Sequence, residues 1–254
     1  MSDLSAVLPG AQAYAADGGP LGLLVLHGFT GNPGSVRPLA LAAAAAGLTV
    51  SSPRLPGHGT VIEDMIPTRF DDWTAAVEVA YQELAGRCER VVVAGLSMGG
   101  ALTCWLAARH PEIAGIVCVN PAVRAPDPAV LDLVRAMLDA GETVAPAIGS
   151  DIADPDAREI AYDGSPLAPA LSFFEALGDL QGDLPLISCP LLLMTSPNDH
   201  VVDPTESDHL AASVGGPVER VTLVRSCHVA TLDYDKEEIA ARTVAFVGQV
   251  APTG

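Results

Sequence analysis

A serine with a glycine two residues to either side, Gly95-Leu96-Ser97-Met98-Gly99, follows the apolar run 91–94. It precedes Ala101, Leu102, Trp105, Leu106 and Ala107, which recur at helical spacing up to His110-Pro111. Strand, turn and helix in that order are the sequence form of a nucleophile elbow. The sharp turn holds the serine in a strained conformation with its hydroxyl above the sheet, and it leaves neither glycine room for a side chain. A serine hydroxyl is a poor nucleophile at neutral pH, so it needs a histidine to take its proton and a carboxylate to orient that histidine.

In a strand–turn–helix setting the chain order runs nucleophile, acid, histidine, which leaves His110, His200, His209 and His228 as bases. Of these, His228 sits in a loop after a strand and has an acid in a matching loop upstream. That acid is Asp199, in Ser196-Pro197-Asn198-Asp199-His200 just past the apolar run 190–195. Asp203 competes, but it precedes Pro204 and reads as the start of a helix. Acyl transfer also needs two N–H groups aimed at the developing oxyanion, each contributing about 3 kcal/mol. Met98, directly after the serine, supplies one. The N–H of Phe29, in His27-Gly28-Phe29-Thr30-Gly31, is expected to supply the other. His27 and His58 read as hydrogen-bonding residues that order their loops.

The elements that must position these residues alternate. Strands are expected at 21–27, 48–53, 115–120, 190–195 and 218–225, besides the one leading to Ser97. Helices are expected at 38–46, 71–87, 205–213 and 236–250. Such alternation means βαβ units, parallel strands and right-handed crossovers, with ligands at the carboxyl ends of the strands. From Val123 to Pro185 the alternation fails in a stretch rich in Pro, Ala and Asp, with apolar helical fragments at 131–138 and 171–177. This segment is expected to be an inserted cap on a core formed by 1–122 and 186–254.

With 254 residues, 49% of them hydrophobic, the chain can bury the core of one large domain. Thirteen basic against 31 acidic residues give a net charge of −18, which repels nucleic acid and anionic lipid. No apolar run approaches the ~20 residues of a membrane span, and the opening residues lack a secretory pattern, so a cytoplasmic protein without stable membrane insertion is expected. The five cysteines, 88, 104, 118, 189 and 227, show no C-x-x-C spacing and read as reduced packing thiols. No H-E-x-x-H pattern gathers metal ligands, and no cofactor is implied.

Five blocks, HGFTGNPGSVRPLA, PRLPGHGT, GLSMGG, SPNDHVVDP and SCHVATLDYD, together resemble the bacterial monoacylglycerol lipases and related small carboxylesterases of the α/β-hydrolase superfamily. The resemblance spans nearly the whole chain. It implies an α/β-hydrolase fold, Ser97, Asp199 and His228 as triad, and Phe29 and Met98 as oxyanion donors. It further implies a small-molecule ester as partner, with a homodimer left open, and a mobile cap over an acyl tunnel. By the same analogy Asn120 and Glu159 would face the glycerol head group, with Ile148 shaping that pocket. The chain departs from the family pattern at 124–142, an acidic, proline-interrupted stretch.

Overall fold

The computed structural model describes residues 5–146 and 150–250. In chain order the elements are β1 (Tyr14–Ala16), β2 (Leu21–Leu26), α1 (Arg37–Ala45), β3 (Thr49–Ser52), α2 (Ile62–Met65), α3 (Phe70–Ala85), β4 (Arg90–Leu96), α4 (Met98–Arg109) and β5 (Gly115–Val119). Then come α5 (Pro128–Asp139), β6 (Val144–Pro146), β7 (Gly164–Pro166), α6 (Leu167–Asp183), β8 (Leu191–Thr195), α7 (Thr205–Ser213), β9 (Val218–Thr222) and α8 (Lys236–Val250). Seven strands form one sheet in the order β1-β3-β2-β4-β5-β8-β9. Only the β1–β3 pair in it is antiparallel.

Strict alternation along the central strands builds two cores, because successive side chains point to opposite faces of a sheet. Leu24 and Leu26 of β2, Val91 and Val93 of β4, and Ile116 and Cys118 of β5 face one cluster. Their neighbours Leu23, Val25, Val92, Ala94, Val117 and Val119 face the other. Helix α3 covers the first face with Trp73, Val77, Tyr81 and Leu84, at the spacing of one helical stripe. Its first turn is capped by Asp72, whose carboxylate accepts the Arg69 N–H at 2.8 Å. Helices α1 and α8 cover the second face with Leu39, Ala40, Ile239 and Val247. Each large apolar side chain so buried contributes about 1.5–3 kcal/mol, which commits the register of every strand.

The chain leaves β2 for β3 on one side of the sheet and then returns to place β4 on the other side of β2. The loops after β2 and β4 therefore diverge above adjacent strand ends, where open α/β sheets bind ligands. These loops carry Phe29 and Ser97.

The segment 123–185 divides differently from the expected cap. The antiparallel pair β6–β7 and helix α5 lie outside the main sheet. Helix α6, however, sends Phe173, Leu177 and Leu180 into the same core cluster as α3 and α4. Its apolar residues thus join the helical layer that α3 and α4 form on that face. No helix among the described residues is long and apolar enough to cross a membrane.

Candidate active site

Ser97 occupies the turn between β4 and α4 at φ 56°, ψ −118°, a region costly for a residue with a Cβ. Packing enforces it. A Cβ on Gly95 would overlap the Gly99 carbonyl, and one on Gly99 would overlap the Leu26 carbonyl, so the elbow can press this closely on β2 only with glycine at both places. The Ser97 N–H donates to Val119 O at 3.0 Å, and its carbonyl accepts from Gly100 N at 2.8 Å. The strain is thereby held between β5 and the start of α4.

His228 is buried, and its Nδ1 lies 2.7 Å from Asp199 Oδ2. The other oxygen, Asp199 Oδ1, accepts the N–H groups of Val201 and Val202 at 2.9 and 2.8 Å. With both oxygens committed, the carboxylate is fixed in position and oriented toward the imidazole. Asp203 instead accepts the Thr205 N–H at 2.8 Å, at the start of α7.

Ser97 and His228 line one cavity of about 380 Å³ together with Phe29, Thr30, Glu159 and Tyr162. The two side chains make no direct hydrogen bond among the described residues, a separation common before substrate binds. The N–H groups of Phe29 and Met98 likewise have no acceptor among the described residues. Met98 opens α4, whose first N–H groups point outward with the positive end of the helix dipole. The Phe29 ring packs edge-on to Trp73 at 5.9 Å and stacks on Phe173 at 6.2 Å, forming an apolar wall.

Glu159 lines the same cavity. Its Oε1 accepts the Ser35 hydroxyl at 2.6 Å, and burial pushes its pKa up. Tyr162 anchors the same segment, donating to Gly57 O at 2.7 Å and accepting from Thr60 N at 3.1 Å. Ile148 lies outside the described residues.

Asn120 requires a correction. It is buried at the end of β5 with φ 44°, and it does not line the cavity. Its Oδ1 accepts Ser196 N at 2.7 Å, while its Nδ2 donates to Ser196 Oγ at 3.0 Å and His228 O at 2.8 Å. Both of its N–H donors are thus already engaged within the protein. The amide ties the ends of β5 and β8 to the histidine loop.

His27 and His58 order their loops. His27 Nδ1 donates to Gly28 O at 2.9 Å, its Nε2 accepts Leu55 N at 3.2 Å, and desolvation lowers its pKa to about 4. His58 packs edge-on against it at 4.9 Å, and burial holds its pKa well down too.

Two further acids hold the histidine loop. Asp233 accepts four N–H groups, from Ala153, Asp154, Cys227 and Tyr234, at 2.8–3.0 Å. Through these bonds the V-A-T-L-D-Y-D block clamps the histidine loop to residues 153–154 of the segment between β5 and α6. Asp151 accepts the His228 N–H at 3.0 Å through Oδ2 and contacts His200 Nδ1 at 2.8 Å through Oδ1. No motif marks Asp151, because all these partners are distant in the chain. Cys227 beside it is no activated nucleophile: burial, then the charges of Asp151, Asp233 and Asp199, push its thiol pKa up.

Residues 22–228 match the family model described as serine aminopeptidase, S33. The chain belongs to this family. It is an α/β hydrolase, and it is 44% identical over 254 residues, 99% of this chain and all of the other, to the thermostable monoacylglycerol lipase of Bacillus sp. (strain H-257). A carboxylesterase of Bacillus subtilis (strain 168) is 24% identical over 238 residues, 93% of this chain and 96% of that one. Among solved structures, one from a study of two metagenome-derived lipolytic enzymes superposes with a TM-score of 0.91 at 42% identity, covering 96% of this chain and 100% of its own.

Proposed function

We propose that this α/β hydrolase cleaves monoacylglycerols to fatty acid and glycerol through Ser97, His228 and Asp199. The observation that carries the reading is the 2.7 Å contact between Asp199 and a buried His228 facing the same cavity as the strained Ser97. Asp199 accepts from Nδ1–H, which leaves Nε2 as the base. His228 Nε2 takes the Ser97 proton as Oγ attacks the ester carbonyl, and the N–H groups of Phe29 and Met98 stabilise the tetrahedral oxyanion. The intermediate collapses with loss of the glycerol oxygen, which receives the proton from His228. Water, deprotonated by His228, then attacks the acyl-enzyme and frees the fatty acid.

The lining of the cavity and the resemblance to the Bacillus lipase support this substrate class. The Phe29 ring, backed by the buried Trp73 and Phe173, gives the cavity an apolar surface that suits an acyl chain. Glu159, which lines the same cavity, has a carboxylate that could accept from a glycerol hydroxyl. A site that hydrogen-bonds a hydroxyl rejects an analogue lacking it more strongly than it distinguishes chain length. The five unpaired cysteines support the cytoplasm as the place of work.

The deciding experiment compares monoacylglycerols with simple aryl esters, a diacylglycerol and an amino-acid anilide, using Ser97→Ala as control. The expected result is preference for the monoacylglycerol, lost in the variant. Equal activity on plain short esters would make the chain a general carboxylesterase, and cleavage of the anilide alone would make it a peptidase.

A further inference from the structure

Asp151, His200 and Cys227 offer a carboxylate oxygen, an imidazole nitrogen and a thiol sulfur that all lie within 4.8 Å of one another. They come from three separate segments: the connection before residue 155, the loop after β8 and the loop leading to His228. Each stands close to the proposed catalytic pair. His200 follows Asp199, Cys227 precedes His228, and Asp151 accepts the His228 N–H at 3.0 Å.

We propose that this trio is a binding site for Zn²⁺, and that the bound cation inhibits the hydrolase by displacing the His228 loop. Sulfur, imidazole and carboxylate are the donor set that a borderline-soft divalent cation takes, with a water completing the tetrahedron. Bonds of about 2.0–2.3 Å place tetrahedral donors roughly 3.3–3.7 Å apart, so the cluster must contract by about 1 Å on binding, a movement that the backbone at Cys227 shares. His200 is 69% exposed while Asp151 is 15% exposed, which leaves the site open to solvent on one side. With Nδ1 on the cation, the other ring nitrogen of His200 faces water and needs no protein partner. Asp199 and Asp233 add negative charge beside Cys227, and the chain's net charge of −18 concentrates cations around it.

On binding, Cys227 Sγ gives its proton to solvent and forms the metal–sulfur bond, while Asp151 turns from the His228 N–H toward the cation. The peptide joining residues 227 and 228 moves with the sulfur and carries the imidazole away from Asp199. A misplacement of about 1 Å in a catalytic group can cost 10²-fold in rate. The inhibition, unlike the binding, rests on His228 acting as the base.

The test uses the full chain in two arms. Co²⁺ serves as spectroscopic probe: wild type should develop a thiolate-to-cobalt charge-transfer band that Zn²⁺ bleaches. That band should vanish in Cys227→Ser, weaken in His200→Ala and persist in Cys88→Ser, which removes the other partly exposed thiol. His200 is exposed, so its truncation leaves the fold intact, and circular dichroism verifies Cys227→Ser. Absence of the band in wild type, or its persistence in Cys227→Ser, overturns the site. In the second arm Zn²⁺ is titrated against aryl-ester hydrolysis. Wild type should lose activity by about 100-fold, recovered with a chelator, while Cys227→Ser and His200→Ala keep their metal-free rates. Equal inhibition of wild type and both variants, or full wild-type activity with the Co²⁺ band present, overturns the inhibitory role.

Discussion

Asn120 Nδ2 donates to the His228 carbonyl at 2.8 Å, while the same side chain accepts the Ser196 N–H at 2.7 Å. One buried amide thus sets the height of the histidine loop above the sheet. Replacing it with alanine leaves buried groups unpaired, at about 1–3 kcal/mol for each. Asn120→Ala is therefore expected to lower the denaturation midpoint and to reduce kcat on monoacylglycerols and aryl esters by similar factors. A selective rise in KM for monoacylglycerol would return Asn120 to the glycerol pocket.

Asp199 and Asp203 are four positions apart in the sequence, yet one orients the imidazole and the other accepts the Thr205 N–H at the start of α7. Asp199→Asn should leave the loop folded but hold His228 in the wrong tautomer, with a loss of about 10⁴-fold in kcat. Asp203→Asn should keep wild-type kcat, because asparagine caps helices as well as aspartate does. Steady-state kinetics on one aryl ester separates the two.

The strands that carry the site were legible because their apolar runs end at turn-forming residues, and the elbow because close packing of β4 and α4 on β2 demands glycine at 95 and 99. Helices α7 and α8 have the expected bounds. Strand β1 gave no signal: three residues cannot display a period, and only the distant pairing of Tyr14 with Ser52 creates it. Strand β9 stops at Thr222 instead of 225, where the Arg225 N–H turns to Asp235 at 3.0 Å. The misreading of Asn120 has the same origin as the omission of Asp151. Residue type and strand-end position are local, whereas Ser196, His228 and His200 reach them only through the tertiary fold.

Glu159 provides a pH-dependent probe of the cavity. Its folded pKa is raised by burial above the ordinary 4.5, so across the window from 4.5 up to that raised value the native state holds the proton more firmly than the unfolded chain does. Its contribution to stability therefore declines as pH rises through the window. Glu159→Gln removes the ionisation, and its melting temperature relative to wild type should climb as pH rises above about 4.5. The same variant should raise KM for monoacylglycerol more than for an aryl ester lacking the glycerol head.

His27 acts in the opposite sense. Its pKa, lowered to about 4 by burial, lies below the unfolded value of 6.5, so the native state resists protonation and the unfolded chain takes up the proton first. The stabilisation is complete above pH 6.5 and is lost as pH falls to about 4, amounting to something on the order of 3 kcal/mol. His58, stacked edge-on at 4.9 Å with its own pKa held down, steepens the loss. Glutamine at position 27 can still donate to Gly28 O and accept from Leu55 N but cannot become charged. Urea midpoints of His27→Gln should thus fall less than those of wild type between about pH 6.5 and 4. Identical slopes for the two proteins would move the acid sensitivity away from the loop that holds the Phe29 N–H.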